Sequence, residues 1–289
     1  MINNRVCIIG SSGLVSTNLI KAIASKNIFI DFISYKQEDI MNPSFKNGFN
    51  NIKVTLISSD TSVKEILANT KTIINLSIIP TMDNFGSHLN NKILQTKKLA
   101  QYVNKEATFI QVLPFIKNDK GLLDTKISET LLEFKKHNIQ LVSLYSCVLL
   151  SLEDSIIKQL AKSISIYNKK INFNKDVRFS ILEEDEFIAN ILKIIQGEQD
   201  SKWIVLGSSN QVSLIEIQNE VIKQIDFKIT KCAIPFFIIS LINSYLKLGL
   251  LFLNKNYYKF LSNSQEVNTK SSTISYKISL THLVKKYLG

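Results

Sequence analysis

Proline, glycine, cysteine and histidine are all scarce in this 289-residue sequence, at 4, 9, 3 and 3 residues. So little glycine and proline excludes a collagen-like or low-complexity chain. A 45% hydrophobic and 20% charged composition marks it as globular rather than disordered. Cys7, Cys147 and Cys232 are far apart and make no metal-ligand spacing, which removes a zinc module and a disulfide scaffold. Cys7 and Cys147 lie within apolar, strand-like runs, where a buried free thiol is expected. His88, His137 and His282 stand alone. The expectation is therefore no metal, no structural disulfide and a reducing, cytoplasmic compartment.

Long runs of one charge are absent too. The net charge is +11, from 35 basic against 24 acidic residues, yet no basic run exceeds a lysine pair. Such a balance suits a small anionic partner, a nucleotide or a nucleotide-sugar, and no nucleic-acid interface is expected. The N-terminal MINNRVCIIG reads as a first strand flowing into a turn rather than a signal peptide. One long apolar run exists, residues 233–253, and Pro235, Asn243 and Lys247 interrupt it. Packed helices are the first reading of that run, weak association with a membrane surface the second and a spanning helix the third.

What the chain does have is regular alternation. Strand-like runs at 6–10, 28–34, 52–58, 72–77, 107–113 and 139–145 alternate with amphipathic stretches at 14–25, 62–69, 88–104 and 122–137. Strands apolar almost throughout, separated by helices, predict a doubly wound parallel sheet covered on both faces, an α/β fold of Rossmann type. After residue 150 the pattern loosens: helices at 152–165, 185–196 and 213–225, strands at 177–182 and 203–207, and a mainly helical remainder over 231–289. The expected organisation is a dinucleotide-binding domain over 1–150 and a smaller, mainly helical substrate-binding part over 151–289, interwoven with the sheet.

The first strand runs into Gly10-Ser11-Ser12-Gly13-Leu14-Val15-Ser16 and then a helix. Gly10 permits a tight turn out of the strand. Gly13 lets the amides of the helix start approach a pyrophosphate, where the helix dipole favours negative charge. The position after a strand and before a helix, in a βαβ series, is what gives this pattern meaning. At the tip of the second strand, facing the adenosine ribose in such folds, stand Ser34-Tyr35-Lys36 with no acidic residue. A cation there suits a 2′-phosphate, so Lys36 tilts the expected cofactor toward NADP over NAD; the plainer alternative is a solvated loop lysine.

The G-x-x-G-x-x-G spacing, with Ser16 in the third position, resembles that of extended short-chain dehydrogenases/reductases, the nucleotide-sugar epimerase/dehydratase group. Other elements carry the resemblance further. Ser59-Asp60-Thr61 is similar to the family's Gly-Asp-apolar element beside the adenine, and Asn75-Leu76-Ser77 to a His-Leu-Ala element along the cofactor. Residues 179–195 and 203–214 resemble the family's strand-to-helix elements, Ser213 and Glu216 making a capping box. The tail around 267–280 resembles the family's closing pattern loosely. The resemblance implies that Gly10, Ser11, Ser12, Gly13, Leu14, Val15, Lys36, Asp60, Thr61, Ser77 and Lys126 bind the cofactor. It also implies a homodimer paired through helices 88–104 and 122–137.

The family's acid–base chemistry uses a Tyr and, four residues on, a Lys that lowers its pKa and holds the ribose, with a Ser or Thr after the fifth strand. Asp124-Thr125-Lys126 resembles the lysine end of that motif, making Lys126 the one catalytic candidate it implies; a surface helix lysine is the alternative. Four residues earlier stands Leu122, and the hydroxyl position falls on Leu113-Pro114. No tyrosine occurs anywhere between 103 and 144, and the Arg-Pro usual after the sixth strand is replaced by Leu144-Tyr145. Three outcomes stay open: binding without turnover, as a regulator or partner subunit; chemistry by a displaced residue such as Tyr145, Asp124 or Lys117; or a scaffold that has lost the cofactor. The expected activity is an epimerase or reductase acting on a nucleotide-linked sugar in surface-polysaccharide synthesis, with the non-catalytic NADP-binding protein as its alternative.

Overall fold

The structure is a computed structural model, and it describes residues 5–10, 13–35, 37, 49–77, 87–114, 122–150, 156–173, 177–198, 202–225, 230–235, 238 and 273–288. The first half delivers β1 (Arg5–Gly10), α1 (Leu14–Ala24), β2 (Phe29–Ser34), β3 (Ile52–Leu56), α2 (Asp60–Asn69), β4 (Thr72–Asn75), α3 (Ser87–Leu99), β5 (Thr108–Pro114), α4 (Leu122–Lys136) and β6 (Gln140–Ser146). The second half adds β7 (Val148–Leu150), α5 (Ile156–Tyr167), β8 (Lys169–Asn172), β9 (Arg178–Glu183), α6 (Glu184–Ile195), β10 (Trp203–Ser208) and β11 (Gln211–Ser213). It closes with α7 (Leu214–Gln224), β12 (Thr230–Pro235), β13 (Thr273–Tyr276) and α8 (Leu280–Leu288).

Eight strands form one sheet in the order β13-β10-β6-β5-β4-β1-β2-β3, and every neighbouring pair is parallel. This is the doubly wound Rossmann-type arrangement, with its order reversing between β1 and β4. The strands are apolar throughout because both faces are covered. On β1, Val6 and Ile8 join the core under α1 and α6, while Cys7 and Ile9 join the core under α2, α3 and α4. Alternation along a strand sends successive side chains to opposite layers. Asp31 on β2 is buried and paired with Arg5 of β1, whose Nη2 donates to Asp31 Oδ1 at 3.0 Å; that bond raises the Arg5 pKa. Burial raises the Cys7 thiol and pushes that of Cys147 up to about 12.

The chain leaves the large sheet at Cys147. After β6, β7 pairs in parallel with β9, and β9 pairs antiparallel with β11, making a second, three-stranded sheet. A separate core gathers α5, α7 and α8 around these strands, with Phe179 and Tyr287 among its buried members. The capping box of α7 is present in both directions: Ser213 Oγ accepts from the Glu216 amide, and Glu216 Oε2 from the Ser213 amide. Two side-chain amides clamp backbone: Gln218 meets both polar groups of Ile171, and Asn210 both of Ile278. α8 is pinned by Tyr287 Oη donating to Leu150 O at 3.0 Å and by Lys286 paired with Glu183 and Asp185 at 2.8 Å each. Burial alone would lower the Lys286 pKa, but the bonds to Asp185 and Glu183 outweigh it and raise it.

One sequence expectation needs correction, and another lies mostly outside the described residues. Within 231–289 the described residues hold β12, β13 and α8, and the rest of the stretch expected to be mainly helical lies outside them. β13 completes the large sheet beside β10, and β12 pairs with β8, so long-range pairing overrides the local pattern. The helix expected over 88–104 ends at Leu99 and tightens into a 3-10 turn at Ala100–Tyr102, after which Val103 turns extended. Of the apolar run 233–253, only 233–235 and 238 lie within the described residues; among the described residues no helix is long and apolar enough to cross a membrane.

Candidate functional site

Where the strand order reverses, the tips of β2 and β4 flank the tip of β1, and α1 and α3 leave on opposite faces. Open sheets bind their ligands in the crevice at this point. The Tyr35 amide donates to Gly10 O at 3.2 Å, and the Leu76 amide to Ile9 O at 2.8 Å, so both neighbouring tips are tied to β1. A Cβ added at Gly10 would stand 3.4 Å from Leu76 Cβ and 3.5 Å from Ser16 Oγ, which is ordinary contact. Ser16 is buried there, small enough for α1 to lie close against the strand.

Gly13 is the N-cap of α1, at φ −75° and ψ 162°, a conformation open to any residue. A Cβ on it would meet no atom of the described residues within 4 Å. Neither the backbone nor the described surroundings therefore require glycine at this position. It gives the helix no side-chain cap, and the first turn carries no acidic residue. Uncapped amides at a helix N-terminus, without competing negative charge, suit a phosphate. These residues fit the pyrophosphate of a dinucleotide.

Of the other candidates, Leu14 opens α1 and Val15, half-buried, packs on the core beneath it. Asp60 opens α2 and Thr61 is exposed in its first turn, both just past the tip of β3. Ser77 follows β4 and is buried. Lys126 lies in α4, one turn past Leu122, so its helix starts at the strand-tip edge. Ser11, Ser12, Lys36 and Lys117 lie outside the described residues, as do the side chains of Leu14, Asp60, Leu122, Asp124 and Lys126.

Sequence reasoning missed the buried polar network under the crevice. Asn75, at the end of β4, donates to Gln111 Oε1 at 2.9 Å and Thr96 Oγ1 at 3.1 Å. Its own Oδ1 accepts from the Ser77 amide at 3.0 Å, and the Ser77 and Thr96 hydroxyls lie 3.2 Å apart. Ser77 thus turns its hydroxyl inward to the network. Tyr35 reaches the same place from β2: its hydroxyl oxygen is buried beside those of Ser77 and Thr96 and makes no hydrogen bond of normal geometry. Burial raises the Tyr35 pKa, outweighing the opposing pull of the Ser77 and Thr96 hydroxyls. The available signal was Asn75 and Gln111, polar residues at paired positions of two otherwise apolar strands.

At the β5 end the surroundings are apolar. Leu113, in the hydroxyl position, is buried against Ile93 and is flanked by Tyr145 of β6. The Tyr145 ring meets that of Trp203 at 5.6 Å. Trp203 opens β10 and faces Ser143, on the upstream side of Tyr145, away from the strand tips. Cys147 and Val205 complete that packing. Tyr145 is therefore engaged in core packing toward the start of β10.

Comparison with known proteins rests on structure alone, since no family model and no curated protein matches the sequence. A triphenylmethane reductase from Citrobacter superposes with a TM-score of 0.71 at 12% identity, covering 98% of this chain and 99% of that one. A nucleoside-diphosphate-sugar epimerase from Staphylococcus aureus gives 0.66 at 12% identity over 97% and 99%. The Bordetella bronchiseptica enzyme WbmG, solved with NAD and UDP, gives 0.61 at 12% identity over 80% and 81%. The fold is shared with nucleotide-sugar epimerases. At such identity the likeness concerns the fold, and the site must speak through its own residues.

Proposed function

We propose that this chain binds a nicotinamide dinucleotide, NADP or NAD, at the β1/β4 crevice and acts in the cytoplasm on a nucleotide-linked sugar of surface-polysaccharide synthesis, in the manner of epimerases and reductases. The observation that carries the reading is Gly13: glycine stands where its backbone is open to any residue and no described neighbour crowds a side chain, at the uncapped start of α1. In this reading Gly10, Ser11, Ser12, Gly13, Leu14 and Val15 cradle the pyrophosphate, Asp60 and Thr61 border the adenine, Ser77 lines the crevice floor and Lys126 holds the nicotinamide ribose. The bound cofactor would supply hydride transfer. The portion from 151 onward would face the sugar.

A second reading is favoured by Leu113 and Leu122, which put hydrocarbon where the resemblance implies a hydroxyl and a phenol. Under it the protein binds the dinucleotide without turnover, as a regulator or partner subunit. Leu94 and Leu132, each 54% exposed on α3 and α4, support pairing of two copies through those helices in either reading. A peripheral membrane contact through 233–253 belongs to the same proposal, and pelleting with anionic liposomes tests it.

The deciding experiment titrates the protein with NADPH and with NADH by fluorescence, then adds UDP-, dTDP- and GDP-linked sugars and keto-sugars while following absorbance at 340 nm. Saturable binding with coenzyme oxidation or reduction supports the enzyme. Saturable binding with no change for any sugar nucleotide supports the non-catalytic protein. No binding of either coenzyme at millimolar concentration overturns both.

A further inference from the structure

The net charge of +11 is not spread evenly along the chain. Two stretches, 155–175 and 227–265, together hold ten lysines and no acidic residue, which leaves a net of +1 for all the rest. Glu153, Asp154, Asp176, Asp226 and Glu266 flank the two stretches and lie outside the described residues; with all five counted the net is still +5. The second stretch also carries eight Phe and Tyr residues and the whole apolar run 233–253. Distant in sequence, the two stretches meet in the fold. β8, of the first, pairs in parallel with β12, of the second, setting Lys169 beside Thr230 and Ile171 beside Ile234.

Ile171 and Ile234 pack on the core of α5, α7 and α8, while Lys170, Asn172 and Ala233 are exposed. Two isoleucines stand exposed at the ends of these elements: Ile166, in the last turn of α5, at 44%, and Ile238, three residues past β12, at 37%. Lys162 and Lys158 are exposed on α5 one and two turns before Ile166. The acidic residues of the neighbouring α7 are already matched, Glu216 by Arg178 and Glu220 by Lys223. We propose that this face, the end of α5 with the β8–β12 pair, rests on an anionic lipid bilayer. Its lysines draw it to the negative surface, and the exposed isoleucines enter the boundary between head groups and acyl chains. An apolar, aromatic-rich stretch bearing lysines and no acid has the composition of an interfacial segment. Attraction to a charged surface acts on the net charge of the face, so it does not require any one lysine to be unpaired. This surface deepens the peripheral contact proposed through 233–253 and rests on that reading.

The test is co-sedimentation of the full chain with vesicles of phosphatidylcholine alone and of phosphatidylcholine with phosphatidylglycerol, each variant first checked for unchanged circular dichroism and unfolding midpoint. Wild type should pellet with the anionic vesicles only, and raised salt should release it. Lys169→Glu/Lys170→Glu should weaken that partition about 100-fold, and the milder Lys170→Gln, at an exposed position, about fivefold. Lys26→Glu/Lys193→Glu makes the same change of total charge just past α1 and in the last turn of α6, and should stay within about threefold of wild type. Equal weakening by the two double variants would mean that total charge, not this face, is what the bilayer reads. Salt-insensitive pelleting with both kinds of vesicle would mean insertion without the lysines. Either result overturns the face while a membrane contact through 233–253 stands. A wild type that pellets with neither vesicle removes the peripheral contact itself.

Discussion

Between β1 and β2, at the adenosine end of the crevice, the chain offers a bare helix start, a glycine that no described neighbour requires, a fixed aromatic ring and a cation. Between β5 and β6, where chemistry would follow, it offers Leu113 packed on Ile93 and a tyrosine committed to Trp203. Both ends hang from the same polar network, since Asn75 joins Gln111 of β5 to Ser77 and Thr96. The contrast separates two tasks that a fold of this kind usually performs together: holding a dinucleotide needs backbone amides and small residues, whereas moving a proton needs one side chain of the right pKa in one place.

Restoring that side chain is the hardest push against the contrast. The double variant Leu122→Tyr/Leu113→Ser should raise coenzyme-dependent turnover of a nucleotide-linked keto-sugar by about 10² or more over wild type, the scale of a positioned acid. A wild type already as fast as the variant would show that a displaced residue does the work. Cutting the link between the two ends comes next. Asn75→Ala leaves Gln111 and the Ser77 amide without their partners, and should cost about 3 kcal/mol in urea unfolding. The smallest effect has the opposite sign. Tyr35→Phe removes a buried hydroxyl that makes no normal hydrogen bond, and should stabilise the ligand-free protein by about 1 kcal/mol.

The sheet was legible in the sequence because buried parallel strands are apolar end to end, and each strand expected in the first half is present within a residue or two. The glycine turn was legible because its residues are contiguous. β12 and β13 were not, since their partners β8 and β10 are distant in sequence and no local period marks them. β7 was hidden inside one apolar run with β6, divided only by Cys147, where the chain changes sheets. The Tyr35–Lys92 contact was illegible for the same reason: one residue ends a strand, the other sits two strands later on a helix, and only the crossing of layers joins them. Ser77 was read from a linear resemblance, which gives position along the strand but not the inward turn of its hydroxyl.

Gly13→Asp offers the most direct measurement, because its two consequences run in opposite directions. The Cβ of an aspartate there meets no atom of the described residues within 4 Å and its carboxylate can cap α1, so the ligand-free protein should melt no lower than wild type, with a gain of a few tenths of a kcal/mol at most. The same carboxylate would stand where a pyrophosphate approaches, so the dissociation constant for NADPH, measured by calorimetry, should rise about 100-fold or more. That pairing is what a live glycine turn predicts. An unchanged dissociation constant in a stably folded Gly13→Asp would contradict it and place any dinucleotide elsewhere on the protein.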